Sequence, residues 1–392
     1  MPGPSSPERL LGAEFVALML TSSLFFAGTG VLNALMPTFV VDVIGGTEAT
    51  AGTVMGSIAV SALLTRPFIG RVADGRGARH IVFWGALVSA TSMAVLLVAP
   101  ASVPVAIVSR LILGAGGAGV FIGVTMRALE LAPDNRRSQA ASLALVAIHA
   151  GLGLGPVVGV RLLDRFGYDE VWMLVGGLAL AAGAVGLLLT PPTPGDPERV
   201  PAPLVYRASL LPGVVTLFGV FAFNGFLAFA SLYGREVGVR DVSIIFTVLS
   251  GAVILVRLFG GGIPDVIGPI RAGSGALVVT VIAALVVAFW TAPAGVFVGA
   301  VLLAAGLSLQ SPSFIPLAIA GVPDHERGAA MATFTGFYDI ANALVGPLLG
   351  LIVVGYGYTA AFGFTAATAL VALVVLNTVI ARRWRALNPT AG

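Results

Sequence analysis

The chain has 392 residues, of which 57% are hydrophobic and only 10% are charged, and its formal net charge at neutral pH is +3. A soluble domain carries roughly 25% charged residues, so this composition excludes a soluble globular protein and predicts an integral membrane protein. The chain contains no cysteine, which excludes disulfides, cysteine-ligated zinc and thiol catalysis. Its basic residues are all arginines placed mainly in short loops, so we expect no nucleic-acid partner.

Twelve apolar segments follow one another along the chain, each long enough for the roughly 20 residues of a spanning helix. The predicted spans are 13–41, 50–72, 80–100, 104–129, 138–163, 169–190, 209–234, 241–263, 272–291, 294–320, 327–353 and 358–381. The first span is too long for a signal-peptide core, so we expect it to be retained. The proline-rich residues 191–208 are too polar to span and predict a linker. The predicted fold is all-α, with six-helix bundles at 1–190 and 209–392.

The arginines predict the orientation of these spans. With both termini in the cytoplasm, 16 arginines fall on cytoplasmic segments and only four on outer loops. This distribution satisfies the positive-inside rule. We therefore expect a multi-pass protein of the plasma (inner) membrane with cytoplasmic termini.

The second half of the chain repeats features of the first at an offset of about 191 residues. The stretch RPFIGRVADGRGARH, residues 66–80, returns as RLFGGGIPDVIGPIR, residues 257–271. A parallel repeat of six spans is the layout of one transporter fold, although channels and receptors can also be duplicated. The repeat predicts two bundles that rock around a central site.

The first copy of this turn, GRVADGRGAR at 70–79, resembles the loop motif of the major facilitator superfamily. The resemblance covers essentially the whole chain and implies a twelve-helix transporter of the drug or metabolite:proton antiporter branch. Gly75 and Ala78 stand where the family usually has basic residues. The resemblance implies a cytoplasmic gate made and broken in each cycle, with a solvated loop as the alternative. The expected gate residues are Arg66, Gly70, Asp74, Arg76, Gly77, Arg79, Glu130, Arg257 and Asp265.

Two glycine-rich stretches lie inside predicted spans. RLILGAGGAG at 110–119 contains the dinucleotide-like pattern GxGxxG, but it has no preceding strand, so we interpret it as a helix-packing face. The resemblance assigns Arg110 to coupling or substrate contact. GLGLGPVVG at 151–159 resembles the antiporter motif, with Val160 in place of the last family glycine, and implies export. Its expected residues are Gly151, Gly155, Pro156 and Gly159.

Ionisable side chains inside the spans are candidates for proton coupling, because a charge in hydrocarbon is costly. Asp339 lies about 20 Å along span eleven by helix rise. His149 lies at a similar depth in span five, and a histidine titrates near neutral pH. We predict that Asp339, His149 and Arg110 carry coupling. The alternative for His149 is a hydrogen bond between helices.

Polar and aromatic residues on several spans predict a substrate cavity. Asn33 and Asn224 occupy equivalent positions in the two halves, although hydrogen bonds between helices would also explain them. An aromatic cavity with a few amides suits a moderately amphiphilic small molecule. The other expected lining residues are Phe25, Phe26, Phe121, Phe221, Phe226, Gln310, Phe314, Phe337 and Tyr338.

These features together predict a secondary active transporter that exports drug-like molecules or metabolites in exchange for protons. The open alternatives are an importer or facilitator of sugars or metabolites, and a lipid flippase. The sequence shows no catalytic grouping and no metal-ligand spacing, so we expect neither enzyme activity nor a cofactor nor a metal. The expected partners are a small-molecule substrate, protons and membrane lipids, and we expect a monomer.

Overall fold

The computed structural model describes residues 12–132, 136–190, 205–323 and 326–387. Within these ranges, the side chains of residues 67, 71, 73–75, 137, 138, 141, 328, 329 and 387 are not described. All regular secondary structure in the described ranges is helical. The fold class predicted from the sequence is therefore confirmed.

Within the described residues, the first half of the chain contains five α-helices. They are α1 (Ala13–Thr38), continued by a π-helical turn at Phe39–Val43, α2 (Glu48–Val98), α3 (Val103–Glu130), α4 (Arg137–Phe166) and α5 (Tyr168–Gly186). The start of α3 carries a proline in its first turn, where the missing N–H would have no partner within the helix. The predicted linker at 191–208 lies largely outside the described residues.

The described part of the second half contains seven α-helices. They are α6 (Arg207–Glu236), α7 (Ser243–Gly260), α8 (Ile263–Ile267), α9 (Pro269–Phe289), α10 (Pro293–Ala318), α11 (Arg327–Val375), a π-helical turn at Leu376–Ile380, and α12 (Ala381–Leu387). The short α8 lies in the predicted loop between spans eight and nine. It belongs to the second copy of the repeated turn.

The described residues contain eleven helical stretches that are long and apolar enough to cross a membrane. The last stretch, Ala330–Ala386, has 57 residues and is interrupted at Gly357, where φ is 79°. This break divides it into two crossings, which gives the predicted number of twelve. Gly77 breaks α2 in the same way, with φ at 76°, a region that glycine enters without the penalty of a Cβ atom.

The repeat is visible in the backbone as well as in the sequence. Six of the seven glycines with positive φ in the described residues fall into three pairs at corresponding positions of the two halves. The offsets within these pairs are close to the 191 residues of the sequence repeat. The pairs are Gly45 with Gly238, Gly77 with Gly268, and Gly167 with Gly357.

The chain divides into two compact units. One consists of residues 1–32 and 64–197, and the other of residues 33–63 and 198–392. The segment 33–63, which includes the end of α1 and the start of α2, belongs to the first sequence repeat but packs with the second unit. The division of the sequence into bundles at 1–190 and 209–392 stays a prediction.

In the first unit, glycines bring helices into backbone contact. A Cβ atom on Gly155 of α4 would lie 2.0 Å from the carbonyl oxygen of Ala27 in α1. A Cβ atom on Gly116 of α3 would lie 2.4 Å from the carbonyl oxygen of Gly85 in α2. Small residues allow such close approach between helices in a membrane. The packing face predicted for GAGGAG is therefore confirmed at Gly116.

In the second unit, α6, α9, α10 and α11 surround an apolar core that includes Val215, Leu277, Phe314 and Phe334. The start of α2 packs against α11 through another glycine contact. A Cβ atom on Gly346 would lie 2.2 Å from the carbonyl oxygen of Gly52. The repeated GPLLG stretch thus provides a close contact for α2.

Candidate functional site: buried ionisable and polar residues

Two of the three residues predicted to carry proton coupling lie in the first unit. Arg110 in α3 is completely buried. His149 in α4 is half-buried, and its Nδ1 atom lies 2.8 Å from the carbonyl oxygen of Leu145, one turn earlier. Because a carbonyl only accepts, Nδ1 must carry the proton of this hydrogen bond.

Aromatic side chains in the first unit form a connected group. The ring centroids of Phe25 and Phe26 are 5.4 Å apart, and those of Phe26 and Phe121 are 6.4 Å apart, in both cases edge to face. Phe25 is buried, whereas Phe26 and Phe121 are partly exposed. The latter two can therefore offer ring surface to a ligand.

The antiporter-like stretch packs α4 tightly on α1. Cβ atoms on Gly151 and Gly159 would come within 2.4 Å of the carbonyl oxygen of Ser23 and 2.6 Å of the Val31 side chain, respectively. Pro156 lies between them inside the helix, and a Cβ atom on Gly30 of α1 would lie 3.0 Å from the Pro156 ring. These residues therefore form a rigid joint between two helices of the first unit.

Charged residues form a network at one end of the first unit. Arg127 in α3 donates from Nε and Nη2 to Glu14 Oε1, at 2.8 and 2.7 Å, and from Nη1 to Glu130 Oε2 at 2.9 Å. Glu14 also accepts from the backbone N–H and hydroxyl of Thr190. This network ties α1, α3 and the end of the first half together. Glu130, expected at the cytoplasmic gate, thus pairs within its own helix.

The second unit holds the one carboxylate predicted for proton coupling. Asp339 in α11 has only 4% of its surface exposed. Its neighbours Phe337 and Tyr338 are half-buried. A charged carboxylate inside an apolar span is costly unless it is paired, hydrogen-bonded or reached by water. Asp339 belongs to the second unit, whereas Arg110 and His149 belong to the first.

The two predicted asparagines both lie in the second unit. Asn224 in α6 is 5% exposed, and its Nδ2 atom has no hydrogen-bond partner among the described residues. Asn33 near the end of α1 is half-buried. A buried amide donor without a partner costs roughly 1–3 kcal/mol, so the amide of Asn224 is available to a polar ligand atom.

Several predicted cavity residues pack inside the second unit. Phe226 is fully buried and its ring lies 6.3 Å from that of Phe362, while Phe314 belongs to the apolar core. Phe221 is also buried, at 3% exposure. Gln310 donates to the hydroxyl of Thr280 at 2.9 Å, which links α10 to α9. These positions hold helices together in the observed state, and their role in substrate binding stays a prediction.

The predicted gate residues are distributed over both copies of the repeated turn. Gly77 interrupts α2, Arg76 beside it is exposed, and Gly70 and Arg79 are partly exposed. Asp74 is one of the residues whose side chains the structure does not describe. In the second unit, Asp265 in α8 is exposed. The remaining two gate residues, Arg66 and Arg257, are half-buried.

Tyr206, just before α6, is anchored to α11 and to Glu326, the residue that precedes it. Its backbone N–H donates to the hydroxyl of Thr333 at 2.9 Å. A side-chain hydrogen bond with Glu326 raises the pKa of the Tyr206 phenol above its ordinary value. The end of the predicted linker is thus attached to the second unit.

One ion pair in the second unit was not predicted from the sequence. Arg235 at the end of α6 donates from Nη1 to Asp42 in the π-helical turn after α1, within the second unit. The two residues are 193 positions apart, the same offset as Gly45 and Gly238. Opposite charges at equivalent positions of the repeat were the signal that could have revealed this pair.

Comparison with known proteins identifies the family. The sequence profile of the Major Facilitator Superfamily matches residues 18–344 and 213–390. The uncharacterized MFS-type transporter YhhS of Escherichia coli (strain K12) is 29% identical over 396 residues, covering 96% of each chain. An uncharacterized MFS-type transporter of Burkholderia mallei is 27% identical over 382 residues, covering 96% of this chain and 94% of that protein.

Solved structures show the same fold at low sequence identity. The peptide transporter POT in complex with sulfate aligns with a TM-score of 0.81 and 15% identity over 98% of each chain. The human organic anion transporter MFSD10 (TETRAN) aligns with a TM-score of 0.71 and 18% identity over 95% of this chain and 100% of that one. With the family profile matching nearly the whole length of these twelve crossings, the chain belongs to the Major Facilitator Superfamily and is a membrane transporter.

Proposed function

We propose that this transporter exports small amphiphilic molecules in exchange for protons by alternating access. The observation that carries the proposal is Asp339, a carboxylate with 4% exposure inside the apolar helix α11. Such a group must be neutral, paired or reached by water, and alternating access would expose it to each side of the membrane in turn. Its proton occupancy would then follow the pH of each compartment.

Arg110 and His149 are proposed to assist Asp339. Both lie within apolar spans of the first unit, where a charge is costly without compensation. The hydrogen bond of His149 Nδ1 to the carbonyl oxygen of Leu145 holds the ring in place within α4. We propose that these two groups take part in proton coupling together with Asp339.

The side chains available in the spans support a substrate of moderate polarity. The amide of Asn224 supplies a buried donor, and Phe26 and Phe121 supply aromatic surface. Such a set suits an organic molecule with an apolar body and one or two polar atoms. The solved neighbours described as peptide and organic anion transporters support a small organic substrate.

The direction of transport and the orientation are also proposals. The similarity of residues 151–159 to the antiporter motif supports export. The distribution of arginines supports cytoplasmic termini and a location in the plasma membrane. We propose that the protein acts as a monomer.

The packing of residues 33–63 supports alternating access. This segment of the first repeat contacts α11 at Gly346 and, through Asp42, pairs with Arg235. In the proposed orientation these contacts lie toward the outside of the cell. We propose that they form an outer gate, closed in this structure, which separates when the transporter opens outward.

Proton movement in proteoliposomes tests the function. Compounds that raise the melting temperature of the purified protein are selected first. Each is then added to proteoliposomes that contain a trapped pH-sensitive dye. Exchange predicts that substrate entering drives protons out and raises the internal pH. A fall in internal pH would indicate symport, and an unchanged pH a facilitator, so either result would refute proton antiport.

A further inference from the structure

A groove of about 430 Å³ lies within the first unit, and none of the proposed coupling residues lines it. Its walls are the part of α2 before Gly77, the part of α2 after it, and α3. Its volume falls within the roughly 300–1,000 Å³ of sites that hold small molecules. The proposed function makes no use of it.

The groove has a polar end and a long apolar body. Arg76 and His80 lie at one end, because the break at Gly77 places the last residue of one helix segment beside the first turn of the next. The body continues back along the helix to Thr65, a distance of about 16 Å by helix rise. This length accommodates most of an extended acyl chain.

The apolar body is open at the surface. Phe68 is 64% exposed and Trp84 is 54% exposed, although both lie in membrane-spanning helices. The floor is formed by small residues of α3, Ala115 and Gly116 among them. Because Gly116 contacts Gly85 directly, no side chain of α3 fills the space at this point. Lipid hydrocarbon is the surrounding medium for such a surface.

The polar end matches a phosphate group. Arginine presents a planar set of donors that suits phosphate oxygens, and histidine adds an N–H donor. Trp84 follows His80 by one turn, which is typical of an indole near the membrane interface. In the proposed orientation this end faces the cytoplasmic leaflet, where anionic lipids are concentrated.

We propose that this groove binds one anionic phospholipid of the inner leaflet. Arg76 and His80 hold the phosphate of the headgroup, and one acyl chain lies along Phe68 and Trp84. Charge complementarity selects an anionic lipid over a zwitterionic one, because the positively charged ammonium group of a zwitterionic headgroup is repelled by Arg76.

Quenching of Trp84 fluorescence by brominated lipids tests the proposal. The reporter protein retains Trp84, with Trp172, Trp290 and Trp384 replaced by Phe. It is reconstituted in phosphatidylcholine containing equal mole fractions of either dibrominated phosphatidylglycerol or dibrominated phosphatidylcholine. We expect the anionic lipid to bind at least fivefold more tightly near Trp84, since each basic residue near the surface contributes roughly a fivefold gain.

Variants and a second reporter distinguish the groove from general attraction of anionic lipid. Arg76→Gln combined with His80→Gln should reduce the preference to about one, whereas Arg271→Gln, an exposed arginine of the second unit, should leave it unchanged. Ala115→Phe should fill the groove and weaken quenching by both lipids. A protein that retains only Trp290, which is 50% exposed in the second unit, should show no such preference.

Two results would overturn the proposal. The first is equal quenching of Trp84 by the two lipids in the parent protein, which would mean that the groove is open to bulk lipid without selection. The second is a preference that survives the double substitution in a protein with unchanged melting temperature. Both substituted residues are exposed, so the test does not depend on whether Ala115→Phe folds.

Discussion

Substitution of Gly346 tests whether the contact between α2 and α11 is a gate. A Cβ atom on Gly346 would lie 2.2 Å from the carbonyl oxygen of Gly52, and an ordinary contact begins at 3.4 Å. In Gly346→Ala the two backbones must therefore separate by about 1.2 Å. Overpacking of this kind costs roughly 1–3 kcal/mol, which corresponds to a shift of about 5- to 150-fold toward the state in which the contact is open.

A distance measurement by pulsed electron paramagnetic resonance reads this shift directly. Because the chain has no cysteine, spin labels can be attached to Thr53→Cys in α2 and Leu351→Cys in α11, both of which are exposed. We expect a longer distance to gain population in Gly346→Ala. Gly336→Ala is the matched control on the same helix, because a Cβ atom there would meet nothing within 4 Å.

An unchanged distance distribution in a folded Gly346→Ala protein would refute the gate. A lower melting temperature without a longer distance would instead show that the glycine contact serves only to pack one unit. In either case, Gly336→Ala must show the same distance distribution between the spin labels as the parent protein.

Three further predictions concern other parts of the chain. Asp74→Asn should lower transport without lowering the amount of folded protein, and normal transport would remove this carboxylate from the cytoplasmic gate. Asn33→Cys and Asn224→Cys should react with a small aqueous thiol reagent and be protected by substrate, whereas two unreactive positions would assign both to helix packing. Glu14→Gln should reduce stability by roughly 1–3 kcal/mol, because it removes a charged acceptor of several hydrogen bonds. Glu130→Gln should reduce it by less than about 1 kcal/mol, since this pair is exposed, and equal losses in thermal unfolding would contradict the difference.

Hydropathy and charge were sufficient to predict the membrane fold. Runs of apolar residues set the twelve crossings, because every backbone polar group in lipid must be satisfied within a helix. Glycines lie at the breaks between crossings for a different reason. Gly77 and Gly357 adopt a positive φ, a backbone conformation that other residues avoid. The burial of Asp339 also followed from its position within a span.

The pairing of helices could not be read from the same patterns. Nearly all faces of these helices are apolar, so hydropathy does not distinguish a residue facing lipid from one facing another helix. Phe226 and Phe314 were expected to line a cavity, yet in this structure both are packed among other helices. The pairing of Asp42 with Arg235 depends on a contact between distant segments, and only comparison of the two repeats could have indicated it.

We propose that protons drive transport through Asp339. Proteoliposomes containing a substrate identified by thermal stabilisation are given a pH gradient, and uphill substrate movement is compared for the parent and Asp339→Asn. We predict that the variant still binds substrate and exchanges it down a gradient, but does not concentrate it when the gradient is imposed. If Asp339→Asn concentrates substrate as the parent does, the proton must be carried by another group and the account is contradicted.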